Sequence, residues 1–314
     1  MAESLTDKPR ILIVGAAGQV GVELQHSFSG FGPIVAADLE STGLDPVDLT
    51  DENQTRALVR RVQPDLILNA AAYTAVDRAE SQPELAMAIN ATAPRILAEE
   101  ALRLNALLVH YSTDYVFDGQ KQQPWIETDE PNPLNVYGAT KLAGEQAIQK
   151  TGGRYLIFRT SWVYGPHGNN FLLTMLRLAR ERDRLSIVDD QFGSPTTSIE
   201  LARATRTIAE GVLAGRFGAT QDWAGLYHMT CSDSTTWFGF AKAIYDCASA
   251  QLHVKPPELT PLATKDYPTP ARRPRNSVLS NRKLYDRFGV SLPSWRAALD
   301  DVIQILAPAA RAQA

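Results

Sequence analysis

Cysteine is scarce in this 314-residue chain: only Cys231 and Cys247 occur. Two cysteines build no disulfide framework, and these two have no metal-ligand spacing. That usage fits a reducing compartment, so a cytoplasmic protein is expected. No stretch approaches the ~18 apolar residues of a membrane span. The opening MAESLTDKPR is polar and lacks the apolar core of a secretory signal. A basic excess is also missing: 31 Lys+Arg stand against 35 Asp+Glu, for a net charge of -4. That balance argues against a nucleic-acid partner. There is no internal repeat, low-complexity block or long charge run. What is present is 44% hydrophobic and 21% charged residues, the composition of an ordinary globular protein. A chain this long buries a sizeable core without staples.

Short apolar runs alternate with helical patterns through the first half. Ile11–Gly15, Ile34–Asp38, Leu66–Asn69, Leu107–Ser112 and Tyr155–Phe158 read as strands. Between them, Val20, Leu24 and Phe28 mark one helix face. Glu52–Val62 (punctuated by Pro64), Pro94–Leu104 and Leu142–Ile148 read as further helices. Strands alternating with helices imply parallel βαβ units, and continuous apolar runs suit strands covered on both faces. The expected fold is α/β, a Rossmann-type doubly wound parallel sheet with a smaller C-terminal lobe. Residues 1–165 would form the dinucleotide-binding domain, regaining a strand near 225–230 from Gly225–His228. Residues 166–308 would form mainly a substrate-binding lobe, with a helix over Phe171–Arg180 and a short strand over Leu185–Asp189. Residues 309–314 would be a frayed tail.

Gly15-Ala-Ala-Gly18-Gln-Val-Gly21 follows the first strand and opens a helix. Glycine there lets a pyrophosphate approach the backbone at a helix N-terminus, with Gly18, Gln19 and Val20 supplying amides. Without its strand-turn-helix setting the pattern would be only a tight turn. Asp38 ends the second strand, where a carboxylate binds ribose hydroxyls and disfavours a 2′-phosphate. No Arg or Lys follows before Arg56, so Asp38 by itself favours NADH. A solvent-facing acid is the plainer alternative. Asp48 and Leu49 could cover an adenine, and Asp48 could equally cap a helix.

Tyr137 and Lys141 stand four apart and share a helix face. A phenol has a pKa near ~10, and a nearby ammonium lowers it, so the pair can move a proton. Alone, the spacing would be an ordinary polar helix face. Ser112-Thr113-Asp114 upstream changes that, because strand ends at the carboxyl edge of a parallel sheet are where ligands bind. The Thr113 hydroxyl can reach the same substrate oxygen.

Together these features resemble the extended branch of the short-chain dehydrogenase/reductase superfamily, which handles nucleotide sugars. Several longer stretches resemble the dTDP-4-dehydrorhamnose reductases over nearly the full chain. They are GAAGQVGVELQ, NAAAYTAVDRAES, HYSTDYVFDG, LNVYGATKLAGE, FRTSWVYG, GNNF, VDDQFGSPT and YPTPARRPRNS. The resemblance implies reduction of the C4 ketone of dTDP-4-dehydro-β-L-rhamnose, the last step towards dTDP-L-rhamnose for cell-surface polysaccharide such as O antigen. It implies Tyr137 as proton donor, Lys141 as its partner and Thr113 tuning the tyrosine. Gly15, Gly18, Gln19, Val20, Asp38, Asp48, Leu49, Ala72, Tyr73, Thr74 and Tyr111 would line the dinucleotide, with Tyr137 and Lys141. Thr113, Asp114, Tyr115 and Trp162 would touch the sugar nucleotide. Asn170, Arg272 and Arg273 would meet its diphosphate, since arginine offers phosphate a planar fork. A solvated basic loop and a packing tryptophan are the plainer readings of those last positions.

The resemblance implies NADPH, with NADH as an alternative, while Asp38 argues for NADH. It also carries a non-catalytic Mg²⁺, for which Glu23 is the single matching carboxylate and no compact cluster is evident. It leaves a homodimer open and gives no membrane role. A 4,6-dehydratase would carry Glu after the strand-end Thr-Asp, but here Asp114 precedes Tyr115. An epimerase would lack the WVYG and RRPRNS matches. A non-catalytic subunit, like the regulatory β subunit of methionine adenosyltransferase, would not need the intact Thr113, Tyr137 and Lys141.

Overall fold

The structure, a computed structural model, describes residues 8–39 and 43–311, with side chains to residue 307. Most of the N-terminal decapeptide therefore lies outside the described residues. The apolar runs become strands because each can bury both faces. β1 (Ile11–Val14) leads into α1 (Gln19–Phe28), then β2 (Ile34–Asp38) and the short β3 (Asp45–Pro46). In β1, Ile11 and Ile13 enter one core while Leu12 and Val14 enter the other. That alternation explains why the strand is apolar at every position.

α2 (Glu52–Val62) starts at Asp51, whose side chain accepts from the amides of Asn53 and Gln54. It ends where Gln63 adopts a left-handed conformation, φ 49°, just before Pro64. β4 (Leu66–Asn69) follows. The turns α3 (Val76–Ala79) and α4 (Pro83–Met87) then pass through a π-helical segment, Ala88–Thr92, into α5 (Ala93–Leu104). β5 (Leu107–Thr113) is buried along its whole length. α6 (Val136–Thr151) precedes β6 (Tyr155–Thr160). This helix starts earlier than the expected Leu142, because Asn135 caps it by accepting from the Gly138 amide at 2.8 Å. Gly138 lets it sit close: a Cβ there would lie 2.2 Å from the Tyr115 carbonyl oxygen.

The second half is more helical than the sequence suggested. β7 (Val163–Tyr164) is followed by α7 (Phe171–Glu181), β8 (Arg184–Val188), β9 (Phe192–Gly193) and β10 (Thr196–Thr197). α8 (Ser198–Leu213) packs against α1 beneath the main sheet. The turn α9 (Thr220–Trp223) leads to β11 (Gly225–His228) and β12 (Thr235–Thr236). Then come α10 (Trp237–Leu252), β13 (Glu258–Leu262), α11 (Arg282–Phe288) and α12 (Trp295–Arg311). The backbone is helical through Arg311, so residues 309–311, expected as frayed tail, continue α12. Residues 312–314 lie outside the described ones.

Seven parallel strands form the main sheet, in the order β11-β6-β5-β4-β1-β2-β3. α1 and α8 cover one face, and α2, α5 and α6 the other. The chain reverses direction across the sheet between β1 and β4. Ligands of doubly wound sheets bind outside the strand ends at that switch point.

Candidate active site

A cavity of about 550 Å³ opens at this switch point. The turn after β1 forms one wall. Gly15 has φ 79°, and a Cβ there would lie 2.4 Å from the Ala71 nitrogen. Gly18 is the N-cap of α1, and no side chain caps that helix. The first-turn N–H groups, beside Gly18, Gln19 and Val20, thus face a cavity able to take an anion. This uncapped glycine cradle fits a dinucleotide pyrophosphate.

Asp38, Leu39, Val47, Asp48 and Leu49 line the next wall. Both carboxylate oxygens of Asp38 are engaged: Oδ2 accepts from the Ala17 amide and Oδ1 from the Leu39 amide, each at 2.8 Å. Asp38 thus pins the glycine turn as well as facing the cavity. Asp48 does not cap α2, the role that Asp51 takes. Its Oδ1 instead accepts from the backbone and hydroxyl of Thr50 at 2.8 and 2.7 Å. Ala72 and Thr74 also line the cavity, but Tyr73 does not. The Tyr73 hydroxyl donates to Gln82 at 2.7 Å and its amide to Asn90 at 2.8 Å. The loop after β4 is held there by a residue the sequence reading passed over.

At the far end lie Tyr111, Ser112, Tyr137, Lys141 and Thr160. The Tyr111 hydroxyl is paired with Thr205 at 2.7 Å. Tyr137 is half-buried in the first turn of α6, edge-on to Tyr115 with ring centroids 5.9 Å apart. Burial pushes its phenol up to about 12, with the neighbouring Thr113 hydroxyl opposing. The expected lowering by Lys141 is not what governs this phenol. Burial wins, and Tyr137 rests protonated. Lys141 is 1% exposed, and its Nζ donates to the Tyr111 carbonyl at 2.7 Å. Burial brings this ammonium down to about 8, with Glu145 opposing. The buried hydroxyls of Ser112 and Thr160 have no protein partner, which leaves them for a ligand.

The residues expected on the sugar side are less available. Asp114 is 2% exposed. Thr113 donates to its Oδ1 at 3.0 Å and Ser161 to its Oδ2 at 2.8 Å. Burial pushes it up to about 6, against these bonds and one from Ser277. Trp162 has φ 47° and stacks on Trp237, centroids 3.6 Å apart and 9° from parallel. Gly193 packs on the same indole, since a Cβ there would lie 2.4 Å from it. Asn170 is the N-cap of α7, accepting from the Leu173 amide, and its Nδ2 donates to Gln19 Oε1 at 3.0 Å. It joins the two lobes rather than presenting a free amide. Arg273 is committed to Asp77 through two bonds of 3.0 and 2.8 Å. The Arg272 side chain is exposed. Arg275, which the sequence reading did not single out, lines a second cavity of about 430 Å³ with Lys121, Phe192 and Asn276.

Glu23 stands 3.6 Å from His26 and 3.7 Å from His167. Among the described residues, no group of three or more His, Cys, Asp or Glu is arranged to hold a metal ion. None of the described helices is long and apolar enough to cross a membrane.

An open parallel sheet, a glycine cradle at its switch point and a Thr-Tyr-Lys set beside it define a dinucleotide-dependent reductase of the short-chain class. The chain belongs to the family of the RmlD substrate binding domain, whose model matches residues 9–307. It is 45% identical over 297 residues to the dTDP-4-dehydrorhamnose reductase of Escherichia coli K12, covering 94% of this chain and 97% of that one. The Burkholderia thailandensis enzyme of the same name is 47% identical over 294 residues, covering 92% and 96%. Among solved structures, the Bacillus anthracis dTDP-4-dehydrorhamnose reductase in complex with NADP superposes with a TM-score of 0.84. It is 35% identical, covering 94% of this chain and 98% of that one.

Proposed function

We propose that this chain reduces the C4 ketone of dTDP-4-dehydro-β-L-rhamnose to dTDP-L-rhamnose with NAD(P)H. The observation that carries the reading is that Tyr137 and Lys141 line the same cavity as the glycine turn, with the Thr113 hydroxyl next to Tyr137. The bound dinucleotide supplies a hydride to the sugar C4. Tyr137, resting protonated, gives its proton to the oxygen that gains charge, and Thr113 holds the phenol hydroxyl. The Lys141 ammonium steadies the phenolate left behind. The lobe built after residue 165 closes the sugar side, with Trp162, Asp114 and Tyr115 shaping its floor. Stopped assays of NADH and NADPH consumption with dTDP-4-dehydro-L-rhamnose test the reading. Absence of turnover with either cofactor would overturn it and favour a non-catalytic role.

Cofactor choice follows from Asp38. Among the described lining residues Lys141 is the single cation, and it sits at the opposite end from Asp38. A 2′-phosphate would therefore face the Asp38 carboxylate without a counter-charge. At a water-exposed strand end that repulsion amounts to about 1 kcal/mol, roughly fivefold in affinity. The expected behaviour is use of both cofactors. Asp38→Asn should raise the NADPH-to-NADH ratio of kcat/KM by roughly that factor. Asp38→Ala should weaken both cofactors, because it also releases the Ala17 and Leu39 amides. Steady-state kinetics with each cofactor on each variant decides it, and an unchanged ratio in Asp38→Asn would remove the carboxylate from the ribose.

A further inference from the structure

β5 carries a histidine directly after its apolar run, residues 107–109. His110 is fully buried, as is its neighbour across the β4–β5 register, Asn69. Its ring has two polar contacts. Nδ1 lies 2.9 Å from Asn69 Nδ2, and Nε2 lies 3.3 Å from Lys141 Nζ. Burial and the adjacent Lys141 hold its pKa well below the ordinary value, so the ring is neutral. A neutral imidazole carries one hydrogen, and the neighbours decide on which nitrogen.

Asn69 makes that choice. Its Oδ1 accepts from the Ala71 amide at 3.3 Å, at the start of the loop that walls the cavity. With the oxygen used there, the amide presents its NH₂ to His110. Nδ1 is then the acceptor and the hydrogen sits on Nε2, facing Lys141. An N–H repels an ammonium and bonds to the lone pair of an amine. We propose that His110, oriented by Asn69, is a positioning residue that loosens the proton on Lys141 by presenting Nε2–H to its Nζ.

The inference rests on the proposed reductase reading, in which Tyr137 must regain its proton after each turnover. A lysine that loses its charge more easily stabilises the phenolate less, which favours return of the tyrosine to its protonated form with a proton taken from solvent. The charged or titratable groups that act on Lys141 are Glu145 on α6 and His110 on β5, and the Tyr111 carbonyl accepts its hydrogen bond. Arg159 on β6 is bound to Glu145, and Asp114 stands beyond Tyr137. Glu145 favours the ammonium, and burial and His110 act against it.

Two variants and one spectrum test this. In the steady-state pH profile, kcat/KM of the wild type falls as pH rises through the Lys141 pKa, because the ammonium is the active form. His110→Phe removes the N–H, and Asn69→Asp, whose carboxylate takes a hydrogen from Nδ1, turns Nε2 into an acceptor. Both should move the alkaline inflection upward, by roughly 0.5–1 pH unit, with Asn69→Asp moving it further. ¹⁵N spectra of histidine-labelled wild-type protein should show His110 protonated at Nε2. Protonation at Nδ1, or an inflection that stays or moves downward in the folded variants, overturns the inference. Lys141→Met separates the two levels: normal turnover in that variant would sink the reductase role of the lysine itself. An inactive Lys141→Met beside unshifted His110 and Asn69 variants would remove only the role of His110.

Discussion

Tyr137→Phe loses about 100- to 10,000-fold in kcat, the range that a positioned proton donor contributes. Its dinucleotide affinity stays near that of the wild type. The change removes one oxygen from a ring packed edge-on against Tyr115, so α6 and the cavity keep their shape. The glycine cradle, Asp38 and the Ala72 wall are untouched. Because burial holds the phenol up at about 12, Tyr137 is fully protonated across neutral pH. The alkaline fall in activity is therefore set by Lys141, near 8, before the tyrosine can ionise. Single-turnover rates and fluorescence titration with NADH check both halves. A Phe variant with near-normal turnover would move the proton donor elsewhere.

The largest loss of stability is expected from Glu145→Ala. Glu145 and Arg159 are 1% and 3% exposed, and they pair through two bonds of 2.8 and 2.6 Å. The guanidinium also lies 5.0 Å from the Phe117 ring centroid. Removing the carboxylate leaves Arg159 charged and buried, a change that costs about 3–5 kcal/mol. Replacing both residues with methionine should cost much less than the single change, because no unpaired charge remains. Urea denaturation of the three proteins measures this. A single variant within about 1 kcal/mol of wild type would mean that water reaches the pair, as it does for exposed ion pairs.

The sheet was legible because its strands are buried on both faces. Ile11–Val14, residues 66–68 and residues 107–109 are apolar at every position, a pattern an amphipathic helix does not produce. The glycine turn, Thr113, Tyr137 and Lys141 were legible because each motif is local and sits where a parallel sheet binds ligands. The surroundings of the other expected side chains were not legible, because their partners stand far away in sequence. The pairing of Arg273 with Asp77, 196 positions away, could not be read from the sequence. Asn170 looked like a ligand until α7 and Gln19 used both ends of its amide. Nothing near Trp162 in sequence announced that Trp237 stacks on one face of its indole. α6 was read too short because its capping Asn135 stands in a proline-rich stretch that resembles loop. One available signal was missed. His110 and Asn69 are polar residues that directly follow apolar runs on neighbouring strands, and a buried polar group must find a partner.

β11 closes the edge of the main sheet by pairing with β6, although much of the second lobe is synthesised between them. While the chain is still on the ribosome, β6 is therefore an open hydrophobic border, able to recruit any extended segment that comes near. A nascent chain halted before Gly225 holds most of the cradle but no finished sheet. A gene split near residue 165 would therefore deliver a fragment with an unpaired strand edge, prone to stick to other extended chain, in place of a working half.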